Sequence, residues 1–161
     1  MSVVLVEGIT DRLALEAVAQ RLGLNLDGIE IVPIGGAQAI RRAFAEYEGQ
    51  PVVGLCDAGE ERWFRRVLGD ATYVCDKDLE DELIRALGAG RVQDVVAAQG
   101  ELETFRNFQN QIFWRGLPVE RQLRRWLQNG GRYLRYPPLL IEAMGRSEIP
   151  RPLADVLEAV A

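Results

Sequence analysis

Acidic residues follow three apolar segments of this 161-residue chain, at positions where carboxylates could hold a metal ion. Glu7 ends the run VVLV, and Asp11 comes four residues later, which is one turn on if a helix begins there. Asp57 ends VVGLC in the same way, while Asp78 and Glu80 come shortly after the run TYVC. Carboxylate oxygens are the ligands that Mg²⁺, Mn²⁺ and Ca²⁺ prefer. The spacing therefore predicts a carboxylate metal site.

Other common catalytic groups are missing from the chain. It contains no histidine, which excludes Ser-His-Asp and Cys-His machinery and imidazole metal ligation. Each of the two cysteines, Cys56 and Cys75, ends an apolar run. We expect both to be small buried side chains rather than a disulfide or a zinc half-site. A metal ion held by carboxylates is therefore the catalytic group that the residue types favour.

Apolar runs alternate with helical patterns in the first half of the chain. Strands are predicted at residues 3–6, 30–34, 51–55 and 72–75, and helices at 10–22, from GGAQAIRRAF onward, at 60–68 and at 79–87. Thr10 is expected to cap the first helix and Gly23 to end it. Short loops between alternating strands and helices are typical of βαβ units. We therefore predict a Rossmann-like α/β core with a four-stranded parallel sheet flanked by helices.

The predicted sheet would bring the acidic residues together. Ligands of open parallel sheets bind beyond the C-terminal ends of the strands, and acids follow three of the four predicted ends. Carboxylates at one edge repel each other, and a divalent cation between them relieves that repulsion. Taken singly, Asp78 could instead cap a helix, and Glu60 could be a solvated residue of a first helical turn.

The second predicted strand is followed by glycines instead of acids. Gly35 and Gly36 lack a Cβ and precede a predicted helix, so their backbone could let a phosphate approach the helix N-terminus. The sequence predicts phosphate binding at this pair.

Beyond residue 90 the strand patterns stop. Helices are predicted at 92–98, 101–114, 119–127, 138–143 and 152–160, which gives an α/β core at 1–90 and a helical extension at 91–161 packed on it. Apolar residues of the extension recur at helical spacing, which favours burial and leaves the neighbouring arginines as candidates for phosphate contacts. They are Phe105, Phe108, Ile112, Phe113, Leu123, Trp126 and Leu127.

Charge is distributed unevenly along the chain. Residues 1–105 carry 10 Lys and Arg against 19 Asp and Glu, whereas residues 106–161 carry 9 Arg against 5 Asp and Glu. This suits a metal site beside a phosphate-binding surface, and it suits equally two halves that pack together. No apolar run approaches the ~18 residues of a membrane helix, and no basic segment precedes an apolar one at the N-terminus. A cytoplasmic protein without membrane contact is expected.

Three segments resemble the TOPRIM domain in the form found in OLD-family nucleases. They are VEGITDR, GLCD and KDLEDEL, which follow the first, third and fourth predicted strands. The resemblance covers residues 1–88, and RYLRYPPLLIEAM with IPRPLADVLEAV is similar to the C-terminal helices of that family's nuclease domain. It implies cleavage of phosphodiester bonds, of DNA rather than RNA, with Mg²⁺ or Mn²⁺. Nucleic acid is the expected partner, and a homodimer or a separate protein partner is left open.

The resemblance also implies a role for each acid. Glu7 matches the TOPRIM glutamate, as a metal ligand or alternatively a general base, and Asp11 matches the second acid of the first motif. Asp57 matches the first Asp of a D-x-D motif. Asp78 and Glu80 match the acidic motif after the fourth strand, with Asp78 in a supporting role.

The chain departs from the family pattern at two places. Gly59 stands where the second Asp of D-x-D would be, and Glu60 is the neighbouring acid that could reach the metal instead. The family has a C-terminal lysine thought to stabilise the transition state, but the only lysine here is Lys77. Arg132 or Arg135 is expected in its place, although a planar guanidinium is not equivalent to an ammonium group.

The departures leave more than one function open. The chain has no Walker A pattern, so the resemblance implies a stand-alone TOPRIM protein without ATP. The leading hypothesis is a metal-dependent nuclease. The alternative is a catalytically degenerate TOPRIM that binds nucleic acid or a partner protein without cleavage, which Gly59 and the missing lysine favour. A third possibility is phosphate transfer on small molecules at the same acidic edge.

Overall fold

A four-stranded parallel sheet forms the centre of the protein, as a computed structural model describing residues 1–161 shows. The strands are β1 (Ser2–Val6), β2 (Ile29–Pro33), β3 (Val52–Asp57) and β4 (Thr72–Cys75). Their order across the sheet is β2-β1-β3-β4, and every neighbouring pair is parallel. The predicted Rossmann-like α/β class is therefore confirmed.

Helices flank the sheet and form the second half of the chain. They are α1 (Ile9–Leu22), α2 (Ile40–Glu46), α3 (Glu61–Leu68), α4 (Leu79–Leu87), α5 (Ala89–Ala98), α6 (Leu102–Gln109), α7 (Val119–Leu127), α8 (Arg132–Glu142) and α9 (Arg151–Glu158). None of them combines the length and the apolar character that crossing a membrane requires.

The apolar core explains the sequence of the central strand. Residues 3–6 of β1 are fully buried because helices cover both faces of the sheet, so the strand is apolar throughout instead of alternating. One cluster of 28 buried residues runs from the sheet through α1 and α4 into α7, α8 and α9, and a cluster of six covers the other face. Both cysteines are buried free thiols, as predicted.

The C-terminal helices pack directly on the α/β part of the chain. Helix α8 lies along α1, and α9 contacts β3 and β4. Arg21 of α1 also donates a hydrogen bond from Nε to the carbonyl oxygen of Met144 at 2.7 Å. The division into residues 1–90 and 91–161 stays a prediction about domains, whereas the shared core is a feature of the structure.

The first helix begins earlier than the sequence pattern indicated. Thr10 was predicted as its cap, but the cap is Gly8, whose N–H donates to Asp11 Oδ2 at 3.0 Å. The Asp carboxylate reaches back to the first free N–H of the helix, so Thr10 lies inside the first turn. Gly23 ends the helix in the left-handed conformation, with φ of 70°, as predicted.

Two helices of the extension differ most from their predicted bounds. Helix α6 ends at Gln109 instead of continuing to residue 114, and residues 110–118 form turns that lead to Pro118. Helix α8 begins at Arg132 instead of residue 138 and contains both Pro137 and Pro138. Proline normally disfavours a helix interior, but burial of Tyr136 and its neighbours in the core offsets that preference here.

Burial in the extension follows these helix bounds. Leu123, Trp126 and Leu127 are buried on α7 as predicted, and Phe105 is buried on α6. The predicted burial of Ile112 and Phe113 is wrong, since they are 90% and 72% exposed. Their spacing does not place them on a buried helix face, because α6 ends at Gln109 before it reaches them.

Gly54 in the middle of β3 is required by the close packing of α3 on the sheet. A Cβ at this position would lie 2.5 Å from Leu68 Cδ1 and 2.7 Å from Phe64 Cδ1. We expect Gly54→Ala to lower the free energy of unfolding by about 1–3 kcal/mol, because overpacking forces these side chains apart. Urea unfolding measures this. Gly59→Ala is the control, since its Cβ would contact nothing within 4 Å, and equal losses in both variants would contradict the steric explanation.

Candidate functional site

The C-terminal ends of β1 and β3 form the topological switch point of the sheet. The chain passes from β1 to β2 on one side and returns to β3 on the other side of β1. Val6 pairs with Leu55 across these strands, so Glu7 and Asp57 follow at the same edge. Open parallel sheets bind their ligands at this point. The fold therefore places two of the predicted acids where a ligand site is expected.

Glu7 is fixed in this position by the neighbouring strand. Its Oε1 accepts a hydrogen bond from the Asp57 N–H at 2.9 Å, which leaves Oε2 without a protein donor. Burial raises the pKa of Glu7, the hydrogen bond opposes that shift, and the charge of Glu60 adds to it. Glu7 thus presents one oriented oxygen to the edge of the sheet.

Asp11 and Asp57 are held among like charges. Burial raises the pKa of Asp11 to about 7, and the charges of Glu7 and Glu80 contribute to this shift. Burial likewise raises the pKa of Asp57 to about 8, with further contributions from the neighbouring acids. These neighbours are Glu7, Asp11, Asp78 and Glu80. The charges of four other predicted acids thus act on Asp57 at this edge of the sheet.

Asp78 is engaged by protein groups on both carboxylate oxygens. Its Oδ1 accepts from the Asp81 N–H at 2.9 Å and so caps α4, which was the alternative to a metal-binding role. Its Oδ2 accepts from Arg124 Nε at 2.8 Å and from Gln128 Nε2 at 3.2 Å. Metal ligation by Asp78 stays a prediction, and its observed contacts tie α4 to α7.

Arg124 and Gln128 are residues of the site that sequence reasoning did not single out. Besides their bonds to Asp78, both residues act on Glu80. Burial raises the pKa of Glu80, and the charge of Asp78 adds to this shift. A hydrogen bond from Gln128 and the charge of Arg124 oppose it. The two residues are four apart on α7 and therefore share one face. The four-residue spacing is visible in the sequence, but the sequence does not show that α7 packs on α4.

The Asp78 cap gives a testable contribution to stability. We expect Asp78→Ala to lower the free energy of unfolding by about 1–2 kcal/mol, because the Asp81 N–H loses its acceptor at the helix start and Arg124 loses its carboxylate partner. The control is Asp76→Ala, since the Asp76 side chain is 78% exposed and lies 3.9 Å from its ion-pair partner Arg85. A change within about 0.5 kcal/mol is expected there. Chemical denaturation of both variants measures the difference, and equal effects would count against the cap.

Glu60 lies near the same edge. It ends a short 3₁₀ turn over Ala58–Glu60 directly after β3, and its charge acts on Glu7. Gly59, within this turn, leaves open space where a side chain would be. Ligation by Glu60 remains a prediction.

Arg132 and Arg135 have partners within the helical extension. Arg132 Nε donates to the Trp126 carbonyl oxygen at 2.7 Å, and its guanidinium lies 4.2 Å from the centre of the Trp126 ring. Arg135 forms an ion pair with Glu101, which also accepts from the Tyr136 hydroxyl at 2.7 Å. Neither arginine contacts a predicted acidic ligand. Their catalytic role stays a prediction, and Arg124 is the arginine that contacts the acidic edge.

The Gly35-Gly36 pair adopts backbone conformations that favour glycine, with φ of 80° and 127°. The pair opens onto a 3₁₀ turn, Ala37–Ala39, and α2 begins only at Ile40, so the expectation of an α-helix directly after it is wrong. The Gly35 N–H donates to the Glu7 carbonyl oxygen at 3.0 Å and is therefore occupied. Phosphate binding at this pair stays a prediction.

The acidic edge suits a hard divalent cation in ligand type. No three acidic or cysteine side chains lie close enough together to form a complete metal centre. Mg²⁺ is usually held by one or two carboxylates, with water and substrate phosphate completing its shell. Glu7 Oε2 and the neighbouring Asp57 carboxylate meet that smaller requirement. The residues present therefore fit a cation that shares its ligands with water and substrate.

Comparison with known proteins identifies similar sequences and folds. Residues 1–58 match the family model for the TOPRIM domain of proteins like the overcoming lysogenization defect (OLD) protein. The fold is similar to the C-terminal region of the Burkholderia pseudomallei OLD protein, with a TM-score of 0.71 and 19% identity over 98% of this chain and 95% of that chain. For the corresponding region of the Xanthomonas campestris pv. campestris OLD protein the TM-score is 0.72, with 22% identity over 99% and 91%. No curated protein matches the sequence significantly.

Proposed function

We propose, from the premise that this chain carries an OLD-like TOPRIM domain at residues 1–58 and has the fold of OLD C-terminal regions, that it hydrolyses phosphodiester bonds in nucleic acid. The observation that carries the proposal is the meeting of Glu7 and Asp57 at the switch point, joined by a 2.9 Å hydrogen bond. TOPRIM domains generally bind divalent metal ions, in keeping with this edge. DNA is the proposed substrate in preference to RNA.

The proposed ligands lie at the ends of β1 and β3 and at the start of α4. Glu7 and Asp57 would hold the cation, either Mg²⁺ or Mn²⁺, directly, with Asp11, Glu80 and Glu60 acting on it through water. A cation bound there supplies charge neutralisation at the phosphate and lowers the pKa of a bound water. Asp78 supports the site indirectly, because it fixes α4 and orients Arg124.

The protein's own groups have separate tasks in this proposal. As the alternative to binding the cation, Glu7 Oε2 can accept a proton from an attacking water, since Oε1 is bound by the Asp57 N–H. Arg124 places a positive charge beside Asp78 and Glu80, where it would offset repulsion between the acidic edge and a phosphate. The excess of arginine over acid in residues 106–161 would attract the polyanion.

A second candidate function is binding of nucleic acid or a partner protein without cleavage. It is favoured by Gly59, which offers no ligand at the second D-x-D position, and by the absence of a complete three-ligand centre. Such a protein would bind DNA equally well in EDTA and in Mg²⁺.

Incubation of supercoiled plasmid, single-stranded DNA and RNA with the purified protein in EDTA, Mg²⁺ or Mn²⁺ tests the two candidates. We expect cutting of DNA in at least one metal and none in EDTA. Faster cutting of RNA than of DNA would overturn the proposed preference. Retained binding without cutting in any metal, from a protein with a cooperative thermal transition, would overturn hydrolysis and support the binding function.

A further inference from the structure

Two apolar side chains of the turn segment 110–118 project into solvent beside arginines of α7. Ile112 and Phe113 are 90% and 72% exposed, the largest exposures among the bulky apolar side chains apart from Met1. An open groove of about 460 Å³ lies next to them. It is lined by Phe113, Trp114, Arg121, Arg124, Arg125 and Gln128.

The exposed aromatic surface is held rigidly. The buried Gln122 of α7 donates from Nε2 to the Trp114 carbonyl oxygen at 2.8 Å and accepts from Gln109 Nε2 at 2.9 Å. The Trp114 ring stacks on Phe108 with centroids 5.1 Å apart, and Phe113 packs edge-on to Trp114 at 5.0 Å. Trp114 therefore supports the Phe113 ring on one side, while most of the Phe113 side chain is exposed to solvent. Such a preorganised exposed ring suits ligand binding, since it loses little conformational freedom when a ligand stacks on it.

Charge on the groove indicates an anionic occupant. Arg121 and Arg125 are exposed and form no ion pair or side-chain hydrogen bond, unlike Arg124, which is paired with Asp78. An adjoining groove is lined by charged residues of both signs, namely Lys77, Asp81, Glu120, Arg121 and Arg124. Basic residues outnumber acidic ones by three to two along this adjoining groove, which leads from the aromatic groove to the loop that carries Asp78. The adjoining groove therefore lies between the acidic edge and the exposed Phe113 ring.

We infer that this groove binds a single-stranded segment of nucleic acid, with a base stacked on Phe113 and phosphates on Arg121 and Arg125. Aromatic rings beside a basic groove are the usual means of binding unpaired strands, whose base faces are accessible, whereas duplex stacking covers those faces. The inference rests on the proposed function in taking nucleic acid as the ligand. It adds that the recognised strand is unpaired.

Fluorescence anisotropy with labelled single-stranded and duplex oligodeoxynucleotides in EDTA tests the inference without cleavage. We expect the protein to bind the single strand more tightly, and Phe113→Ala to weaken that binding about tenfold, within the range reported for loss of one stacked base. The matched control is Phe44→Ala on α2, also an exposed phenylalanine, at 38%. Unchanged binding is expected there.

Salt dependence tests the arginines separately. Replacing both Arg121 and Arg125 with Ala is expected to reduce the slope of log K against log salt by about 1.4 for single strands, about 0.7 for each lost phosphate contact. Arg42→Ala on α2, where the side chain is 89% exposed, is the control and should leave the slope unchanged. Since all three arginine side chains are exposed, the variants should fold normally.

The outcomes separate this inference from the proposed function. Binding of single strands by Phe113→Ala as tight as by the unchanged protein, or tighter binding of duplex by the unchanged protein, would overturn the inference even if plasmid is cut in Mn²⁺. Single-strand binding that depends on Phe113 and the two arginines, from a protein that cuts nothing, would support the inference and overturn hydrolysis.

Discussion

Replacing Glu7 with Gln is expected to abolish metal-dependent cleavage of plasmid DNA, by about 10²-fold or more, while leaving the thermal midpoint nearly unchanged. Gln has the same length and keeps an oxygen that can accept from the Asp57 N–H, so the 2.9 Å link between β1 and β3 survives. What is lost is the charge on Oε2, which both a metal ligand and a proton acceptor require. Burial with Glu60 nearby already disfavours that charge in the metal-free protein, so its removal should not destabilise the fold.

Three measurements make the Glu7 result specific. Plasmid nicking is followed in Mn²⁺, the thermal midpoint is measured in EDTA, and the rise of the midpoint with added Mn²⁺ is recorded. The matched control is Glu158→Gln, an exposed carboxylate near the end of α9, which should behave like the unchanged protein in all three. Full cleavage by Glu7→Gln would exclude Glu7 from the active site, whereas loss of cleavage together with loss of the cooperative transition would indicate unfolding.

The positions of the acids could be predicted because they depend on local patterns. Glu7, Asp57 and the acids after β4 come at the ends of short apolar strands, and parallel pairing alone brings such ends to one edge. Their mutual electrostatic influence follows from that arrangement and needs no further information about side-chain packing. The strand ends in the sequence were therefore sufficient to predict where most of the candidate acids lie.

The engagement of Asp78 could not be predicted in the same way. Its partners Arg124 and Gln128 are 46 and 50 residues away in the sequence, and their contact depends on how α7 packs against α4. Five arginines occur between residues 106 and 125, and no pattern distinguished the one that reaches the edge. Arg132 and Arg135 were chosen by resemblance, but aromatic and acidic partners within the extension hold both.

The misassigned burial of Phe113 has a similar origin. Periodicity shows which side chains share a face only while the helix continues, and α6 ends at Gln109. On α7 the helix spans the whole pattern, so Leu123, Trp126 and Leu127 are buried as predicted. Gly116 and Pro118 marked the break between the two helices, but they did not show that it begins several residues earlier.

Replacing Asp57 with Asn is expected to stabilise the metal-free protein at pH 8. Burial and four neighbouring acids raise the pKa of Asp57 from 3.8 to about 8. A raised pKa means that the folded state holds its proton more tightly than the unfolded state, so this residue favours folding most below about pH 4. That contribution is lost as the pH rises towards 8, and the Asn variant does not lose it. After allowance for solvent screening, a gain of about 1–2 kcal/mol is expected, or about 2–8 °C in the thermal midpoint.

The pH dependence provides an internal check on this prediction. In EDTA near pH 3 the two proteins should unfold at the same temperature, because Asp57 is then largely protonated in both states. Their midpoints should separate progressively up to pH 8. Asp94→Asn, which changes an exposed carboxylate on α5, is the control and should show no such separation. A constant difference at all pH values would mean that the effect does not come from titration of Asp57.

Saturating Mn²⁺ is expected to reverse the order of stability at pH 8. A ligand that binds only the folded state at 100 times its dissociation constant stabilises that state by about 2.7 kcal/mol. The unchanged protein should gain this stabilisation because its carboxylates are ionised on metal binding, whereas the Asn variant offers one charge fewer and should gain much less. The variant would then be the more stable protein in EDTA and the less stable one in Mn²⁺. Thermal unfolding in both conditions measures the crossing, and equal stabilisation of the two proteins by Mn²⁺ would remove Asp57 from the proposed ligands.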